Sequence, residues 1–149
     1  MSKIKVEIKR LDNYQVKELP KYATENSAGF DLTAGVDQER TIISGARMLM
    51  PTGISIAIPD GYELQLRPRS GIAFKNGVTV LNSPGTIDAD YRGELKVLLI
   101  NHSENDFIIK PGDRIAQAVL SKIDQLEWQE VDNLDSTDRG AGGFGSTGV

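Results

Sequence analysis

The sequence predicts an all-β fold, a sandwich or barrel of the jelly-roll kind. Three observations predict it: apolar residues recur at period two in short runs, Gly and Pro punctuate those runs, and no long segment keeps a 3.6-residue apolar period. Ile54, Ile56 and Ile58 alternate with Ser55 and Ala57, and Tyr62, Leu64 and Leu66 alternate with Glu63 and Gln65. Pro59-Asp60-Gly61 between them is a turn signal, so the two runs are expected to pair as a hairpin. Val78–Leu81 reads as another short strand. The apolar run within Lys96–Ile100 suggests a strand buried on both faces. Pro111-Gly112-Asp113 turns the chain into a strand over Arg114–Leu120, and the best helix candidate is short, at Ser70–Lys75. After about Val131 the composition changes: Asp132–Asp138 is polar and Arg139–Val149 is Gly-rich. Such a segment cannot bury enough apolar surface to order itself. The expected organisation is therefore one folded domain, 1–131, and a flexible C-terminal arm, 132–149.

The totals narrow the function classes. The 149 residues suffice for one domain with a core. Acidic residues outnumber basic ones, 21 to 17, for a net charge of −4, and sequence-independent nucleic-acid binding needs the opposite balance. Any polyanion must be met by a few placed cations. Cysteine is absent, which excludes disulfides, a thiolate nucleophile and the Cys-ligated zinc of nucleobase deaminases. Charged and apolar residues alternate at the N-terminus, with no continuous apolar stretch of the signal-peptide kind, and no run of about 18 apolar residues exists to span a membrane. The expectation is a cytoplasmic protein that binds neither nucleic acid nor membrane.

Five segments carry candidate chemistry. The tail from Arg139 to Gly148 contains a formal G-x-G-x-x-G at Gly140, Gly142 and Gly145. The dinucleotide-binding reading needs a strand before it and a helix after it, and neither is predicted. A Walker A loop needs Lys where Ser146 stands. What remains is a strip of backbone N–H groups that can approach phosphate closely, an Arg able to fork onto a phosphate, and Phe144 able to stack on a base. A solubilising tail has a similar composition. In Arg67–Ala73, Ser70 is placed to cap a short helix whose amides would face an anion, with Arg69 adding charge; a solvated, capped turn reads the same. Leu81–Val97 looks like a hairpin bent at Pro84-Gly85 and Arg92-Gly93. In it Asp88 and Asp90, two apart, share a side if the chain is extended, and a carboxylate near phosphate can act as general base towards water. Paired Asp residues also commonly solvate a turn. In Lys110–Leu120, Gln117 shares a strand face with Ile115 and Val119 and is expected to be half-buried, either bonded to backbone or donating to phosphate. In Ser27–Ala34, Asp31 either satisfies backbone donors or orients an Arg. His102, the single histidine, lies in a turn-like stretch with no motif around it and reads as a surface residue.

In order and spacing these segments, A-G-F-D-L, P-R-S-G-I-A, N-S-P-G-T-I-D-A-D-Y-R-G, P-G-D-R-I-A-Q and R-G-x-G-G-F-G-S-T-G, resemble the five motifs of the trimeric dUTPase family. The resemblance runs from about Ser27 to Gly148. It implies a jelly-roll, distorted-barrel subunit (the β-clip fold) in a homotrimer whose active sites draw on all three copies. It implies Mg²⁺-dependent hydrolysis of dUTP to dUMP and pyrophosphate, which limits uracil in DNA and supplies dUMP for dTMP synthesis. Under it, Asp88 is the base that activates water for attack on the α-phosphorus, and Arg139 and Gln117 complete the catalytic set. Asn82, Gly85, Thr86, Ile87 and Lys96 hold uracil, and Tyr91 packs under the deoxyribose. Arg69, Ser70 and Gly71 hold phosphate oxygens, and Phe144, Gly145, Ser146 and Thr147 close the arm over the nucleotide. Asp31 and Asp90 are supportive, and Mg²⁺ sits on phosphates and water with no direct protein ligand. Ser121 to Arg139 is 19 residues, able to span up to roughly 60 Å when extended, enough to reach a neighbouring copy. Two alternatives stand beside this reading. One is a dCTP deaminase, which shares the fold but uses a Glu-activated water where this hairpin reads T-I-D-A-D-Y. The other is a non-catalytic trimer with a regulatory or structural role.

Overall fold

The computed structural model describes residues 2–148. Ten strands and one helix follow one another: β1 (Glu7–Arg10), β2 (Phe30–Thr33), β3 (Arg40–Ile42), β4 (Arg47–Ala57), β5 (Tyr62–Arg67), α1 (Ser70–Asn76), β6 (Val78–Val80), β7 (Gly85–Ile87), β8 (Glu94–Asn101), β9 (Phe107–Ile109) and β10 (Arg114–Lys122). They form two antiparallel four-stranded sheets, β1-β4-β8-β6 and β2-β10-β5-β7, and a two-stranded ribbon, β3-β9. The jelly-roll-like expectation holds, but the sheets keep open edges and do not close into a barrel.

Period-two patterning sets which face each strand buries. Ile54 and Ile56 of β4, with Leu95, Val97 and Leu99 of β8, face Leu64 and Leu66 of β5, Leu32 of β2, and Ala116 and Ala118 of β10 in one core. Burial of such aliphatic side chains contributes about 1.5–3 kcal/mol each. Asn101 is the buried polar exception. Its Nδ2 donates to Ile42 O (2.9 Å) and Asn105 O (2.8 Å), and its Oδ1 accepts from Ser103 N (2.9 Å), so the end of β8 is tied to β3 with no polar group left unpaired.

Two pairings differ from expectation. β4 and β5 do not form a hairpin: β4 pairs with β1 and β8, and β5 with β10 and β7. The Pro59–Gly61 turn carries the chain from one sheet to the other, so both alternating patterns face the same core across the sandwich. β8 is not buried on both faces either. Leu95, Val97, Leu99 and Asn101 are buried, Leu98 and Ile100 are half-buried, and Lys96 is exposed. The outer face of β8 thus carries Glu94 and Lys96 as well as Leu98 and Ile100, and its apolar end is only half covered within its own chain.

Candidate active site

The outer face of the second sheet carries a polar row. Gln117 on β10 lies opposite Asp31 on β2 and opposite Arg67 on β5, and directly opposed Cα atoms sit about 4.5–5.5 Å apart. The neighbours Leu32, Leu66, Ala116 and Ala118 point the other way, into the core. β2 and the turn before β10 are clamped together, Ala34 N donating to Asp113 O (2.8 Å) and Gly112 N to Ala34 O (2.9 Å).

Asp31 orients an arginine. Its Oδ1 accepts from Arg69 Nε at 3.0 Å and its Oδ2 lies 3.5 Å from Arg114 Nη1. The Arg69 and Asp31 side chains are 24% and 35% exposed, so the charge-assisted contact is only partly screened. Using Nε for Asp31 leaves the two terminal nitrogens of Arg69 for another anion. Gln117 is half-buried and donates Nε2 to Pro68 O at 3.0 Å, which is the backbone-bonded alternative; its second N–H remains. Room for this carboxamide comes from Gly29, where a Cβ would sit 2.5 Å from Gln117 Oε1.

The cap expectation at Ser70 is corrected. Arg69, in extended conformation (φ −92°, ψ 130°), holds the N-cap position of the seven-residue helix α1 without a side-chain cap bond. Ser70 is the first helical residue, and its hydroxyl forms no hydrogen bond among the described residues. A Cβ at Gly71 would meet only open space. Gly77 ends the helix in the left-handed region (φ 65°), donating to Ala73 O and Ile72 O.

The third segment is not a simple two-stranded hairpin. β7 pairs with β5 and β6 with β8, so Asn82, Ser83 and Pro84 bridge the two sheets. Thr86 lies opposite Gln65 and Ile87 opposite Leu64. Gly85 is buried, and a Cβ there would approach Leu66 Cβ to 3.2 Å. Asp88 follows β7 directly. Asp90 sits in a turn closed by Tyr91 N donating to Asp88 O (3.2 Å), so the two carboxylates are not on one extended stretch. Both are exposed and line a cleft with Asp60, Gly61 and Asp124. The Tyr91 ring lies across Gly93, where a Cβ would sit 2.5 Å from Oη and 2.7 Å from Cζ, and its hydroxyl donates to Glu94 O at 2.8 Å. Lys96 is exposed, as is His102, in keeping with its surface reading.

The last strand ends at Lys122, and Ile123 N donates to Gly61 O (2.9 Å). Beyond that, no hydrogen bond or ion pair among the described residues joins the arm to the sheets. Its tip is a run of local turns. Arg139 Nε donates to Gly142 O (2.9 Å), Ser146 N to Gly143 O (3.1 Å) and Gly148 N to Gly145 O (2.9 Å). Phe144 is fully exposed with φ 52°, a strained value for a bulky residue. Thr147 is exposed too, and Val149 lies outside the described residues.

One chain therefore brings Asp31, Arg69, Ser70, Gly71 and Gln117 into one neighbourhood. It leaves Asp88, Asp90 and Tyr91 in another, and the arm residues apart from both. Sequence reasoning missed Gly29 and Gly93, which make room for Gln117 and Tyr91, and Arg114, which shares Asp31 with Arg69. Arg92-Gly93 reads only as a bend, and nothing in the sequence signals the role of Gly29.

Cations and amide donors fixed on a β-sheet face, with a carboxylate-bearing turn and a Gly-rich Arg-Phe arm, define a protein built to handle a phosphorylated ligand. The dUTPase family model matches residues 15–148. Deoxyuridine 5'-triphosphate nucleotidohydrolase of Rickettsia bellii is 58% identical over 149 residues, covering 100% of this chain and 99% of that protein. The enzyme of the same name from Rickettsia massiliae is also 58% identical, covering all of both. The dUTPase of Staphylococcus bacteriophage 80alpha, solved with dUpNHpp, is 26% identical with a TM-score of 0.86, covering 97% of this chain and 99% of that one. The chain belongs to the dUTPase family and is a dUTP diphosphatase, an enzyme that hydrolyses dUTP.

Proposed function

We propose that dUTP is cut by in-line attack of water on the α-phosphorus, giving dUMP and pyrophosphate, at sites completed by three copies of the chain. Asp88 takes the proton as the water oxygen bonds to phosphorus, and the bond to the bridging α–β oxygen breaks, releasing pyrophosphate. Arg69, held by Asp31, supplies its free guanidinium nitrogens to phosphate oxygens, with Ser70, the Gly71 amide and the second N–H of Gln117. The third segment reads uracil: backbone around Gly85, Thr86, Ile87 and Lys96 with the Asn82 side chain matches its polar edge and leaves no room for a 5-methyl group. A cytosine edge would leave buried groups unpaired. Tyr91, fixed across Gly93, rejects a 2′-hydroxyl. Asp90 supports the turn that carries Asp88. The arm is mobile until nucleotide binds, then brings Phe144 onto the base, and Arg139, Gly145, Ser146 and Thr147 onto the phosphates, neutralising charge as it develops.

Among the described residues, no cluster of three or more His, Cys, Asp or Glu side chains is placed to hold a metal. Both oxygens of Asp31 are engaged by arginines. These donors suit phosphate oxygens, and Mg²⁺ would be carried in on the triphosphate and water, as suits an ion that dehydrates reluctantly, where it would supply charge neutralisation.

The observation that carries the shared-site reading is the separation of the Arg69–Gln117 group, the Asp88 cleft and the arm within one chain. The apolar outer face of the first sheet, with Leu49 55% and Leu81 41% exposed beside Leu98 and Ile100, offers a surface for the copies to cover. Acting in the cytoplasm, the enzyme supplies dUMP and limits uracil in DNA. The test is pyrophosphate release from dUTP, dTTP, dCTP and UTP with Mg²⁺, alongside the mass in solution. Cleavage of dUTP alone by a trimer is expected. Ammonia release from dCTP, or a monomer with full activity, would overturn the reading.

A further inference from the structure

We propose that Arg67 is a further substrate-binding residue, a cation for the β- and γ-phosphates that Glu63 and Gln65 hold in position. The inference rests on the proposed phosphate role of the Arg69–Gln117 group. Arg67, Gln65 and Glu63 alternate along β5 on the outer face of the second sheet, and Arg67 lies directly opposite Gln117. A relay of hydrogen bonds runs along that face. Gln65 Nε2 donates to Glu63 Oε1 at 2.6 Å, which fixes the amide so that its Oε1 faces Arg67. Arg67 Nε and Nη2 then both donate to that oxygen, at 3.0 and 2.7 Å. The guanidinium is thus ordered by a neutral acceptor. Among the described residues no carboxylate lies within ion-pair distance of it, whereas Arg69 and Arg114 both share Asp31. An ordered arginine whose full charge is unneutralised, with Nη1 free, is prepared for an anion.

Its surroundings say where that anion lies. Arg67, Gln65, Pro68 and Gln117 line one cleft together with Ser83 and Pro84 at the start of the uracil-reading segment. Gln117 spends one N–H on Pro68 O, keeps a second, and lines this cleft beside Arg67. A polyphosphate contacting Gln117 therefore passes within reach of Arg67. Arg67 is assigned to the two phosphates that dUTP carries beyond those of dUMP.

The experiment compares affinity for a non-hydrolysable imido analogue of dUTP with affinity for dUMP in the trimeric enzyme. The variants are Arg67→Gln, Arg67→Lys and Gln65→Leu. Arg67→Gln is expected to weaken the triphosphate analogue about tenfold or more, the loss of one charge-assisted contact, with dUMP changed less than about twofold. Arg67→Lys keeps the charge but not the forked geometry, and recovers part of the loss. Gln65→Leu frees the guanidinium and gives an intermediate loss, again confined to the triphosphate. Equal weakening of both ligands, no weakening of either, or a change in oligomeric mass would overturn the assignment; the last would place Arg67 in a contact between copies. Failure of the wild-type enzyme to bind the analogue would instead refute the phosphate role of the Arg69–Gln117 group.

Discussion

Replacing Gly93 by alanine tests how the sugar is selected. The added Cβ would sit 2.5 Å from Tyr91 Oη, 2.7 Å from Cζ and 3.1 Å from Cε2, distances at which the ring cannot remain. Tyr91 is 42% exposed, so it can swing into solvent instead of distorting the backbone. The hydroxyl's 2.8 Å bond to Glu94 O is lost in doing so. The stability cost is then that of one partly exposed hydrogen bond, about 0.5–1.5 kcal/mol, and the fold survives. The functional cost is larger in kind, because the surface that excludes a 2′-hydroxyl has moved. A loss of about 1.4 kcal/mol of discrimination raises the relative kcat/KM for UTP over dUTP about tenfold. The assay is kcat/KM for both nucleotides in wild type, Gly93→Ala and Tyr91→Phe, with thermal unfolding as the control. Tyr91→Phe keeps the ring and should hold the ratio within about threefold. If Gly93→Ala unfolds normally and leaves the UTP/dUTP ratio unchanged, Tyr91 does not select the sugar.

Other outcomes follow from the same geometry. Asp88→Asn should lower kcat by about 10²–10⁴, the usual contribution of a general base, while leaving affinity for the imido analogue of dUTP within a few-fold by calorimetry. Asp31→Asn leaves Arg69 and Arg114 without their shared carboxylate, so KM for dUTP should rise about tenfold in steady-state assays with little change in Tm. Truncation before Arg139 should cut turnover by about 10³ or more in the pyrophosphate assay, as loss of an arginine finger does, with unfolding unaltered because no hydrogen bond or ion pair among the described residues ties the arm tip to the sheets.

The strands were legible because period two reports a one-sided burial, and Ile54, Ile56, Leu64 and Leu66 bury the faces their alternation implies. Pairing was not legible. The same alternation and the same Pro59–Gly61 turn suit a hairpin or a crossing between sheets, and only the shared core decides. The apolar residues around Lys96 predicted a doubly buried strand because sequence does not distinguish a face covered by its own chain from one only half covered, as Leu98 and Ile100 are. Asp31 as a partner for an arginine was within reach of the residues, but the choice of Arg69, 38 positions away, depends on the β2–β10–β5 register. Gly29 was opaque for a similar reason. Its missing Cβ serves Gln117, a residue far along the chain, whereas the Gly93–Tyr91 contact is local. The misplaced cap shows the reverse error: Ser70 has the right chemistry, but the extended backbone at Arg69 starts the helix one residue earlier.

Sharing of each site among copies is tested most directly by mixing two inactive variants. Asp88→Asn and Arg139→Ala chains, co-refolded in equal amounts and confirmed as mixed trimers by mass, each retain the residue the other lacks. If Asp88 and Arg139 act together from different copies, roughly a quarter of the sites in random trimers regain both, and dUTP hydrolysis returns well above either variant alone. If the mixed trimers stay as inactive as their parents, both residues act from the same chain and the shared site is wrong.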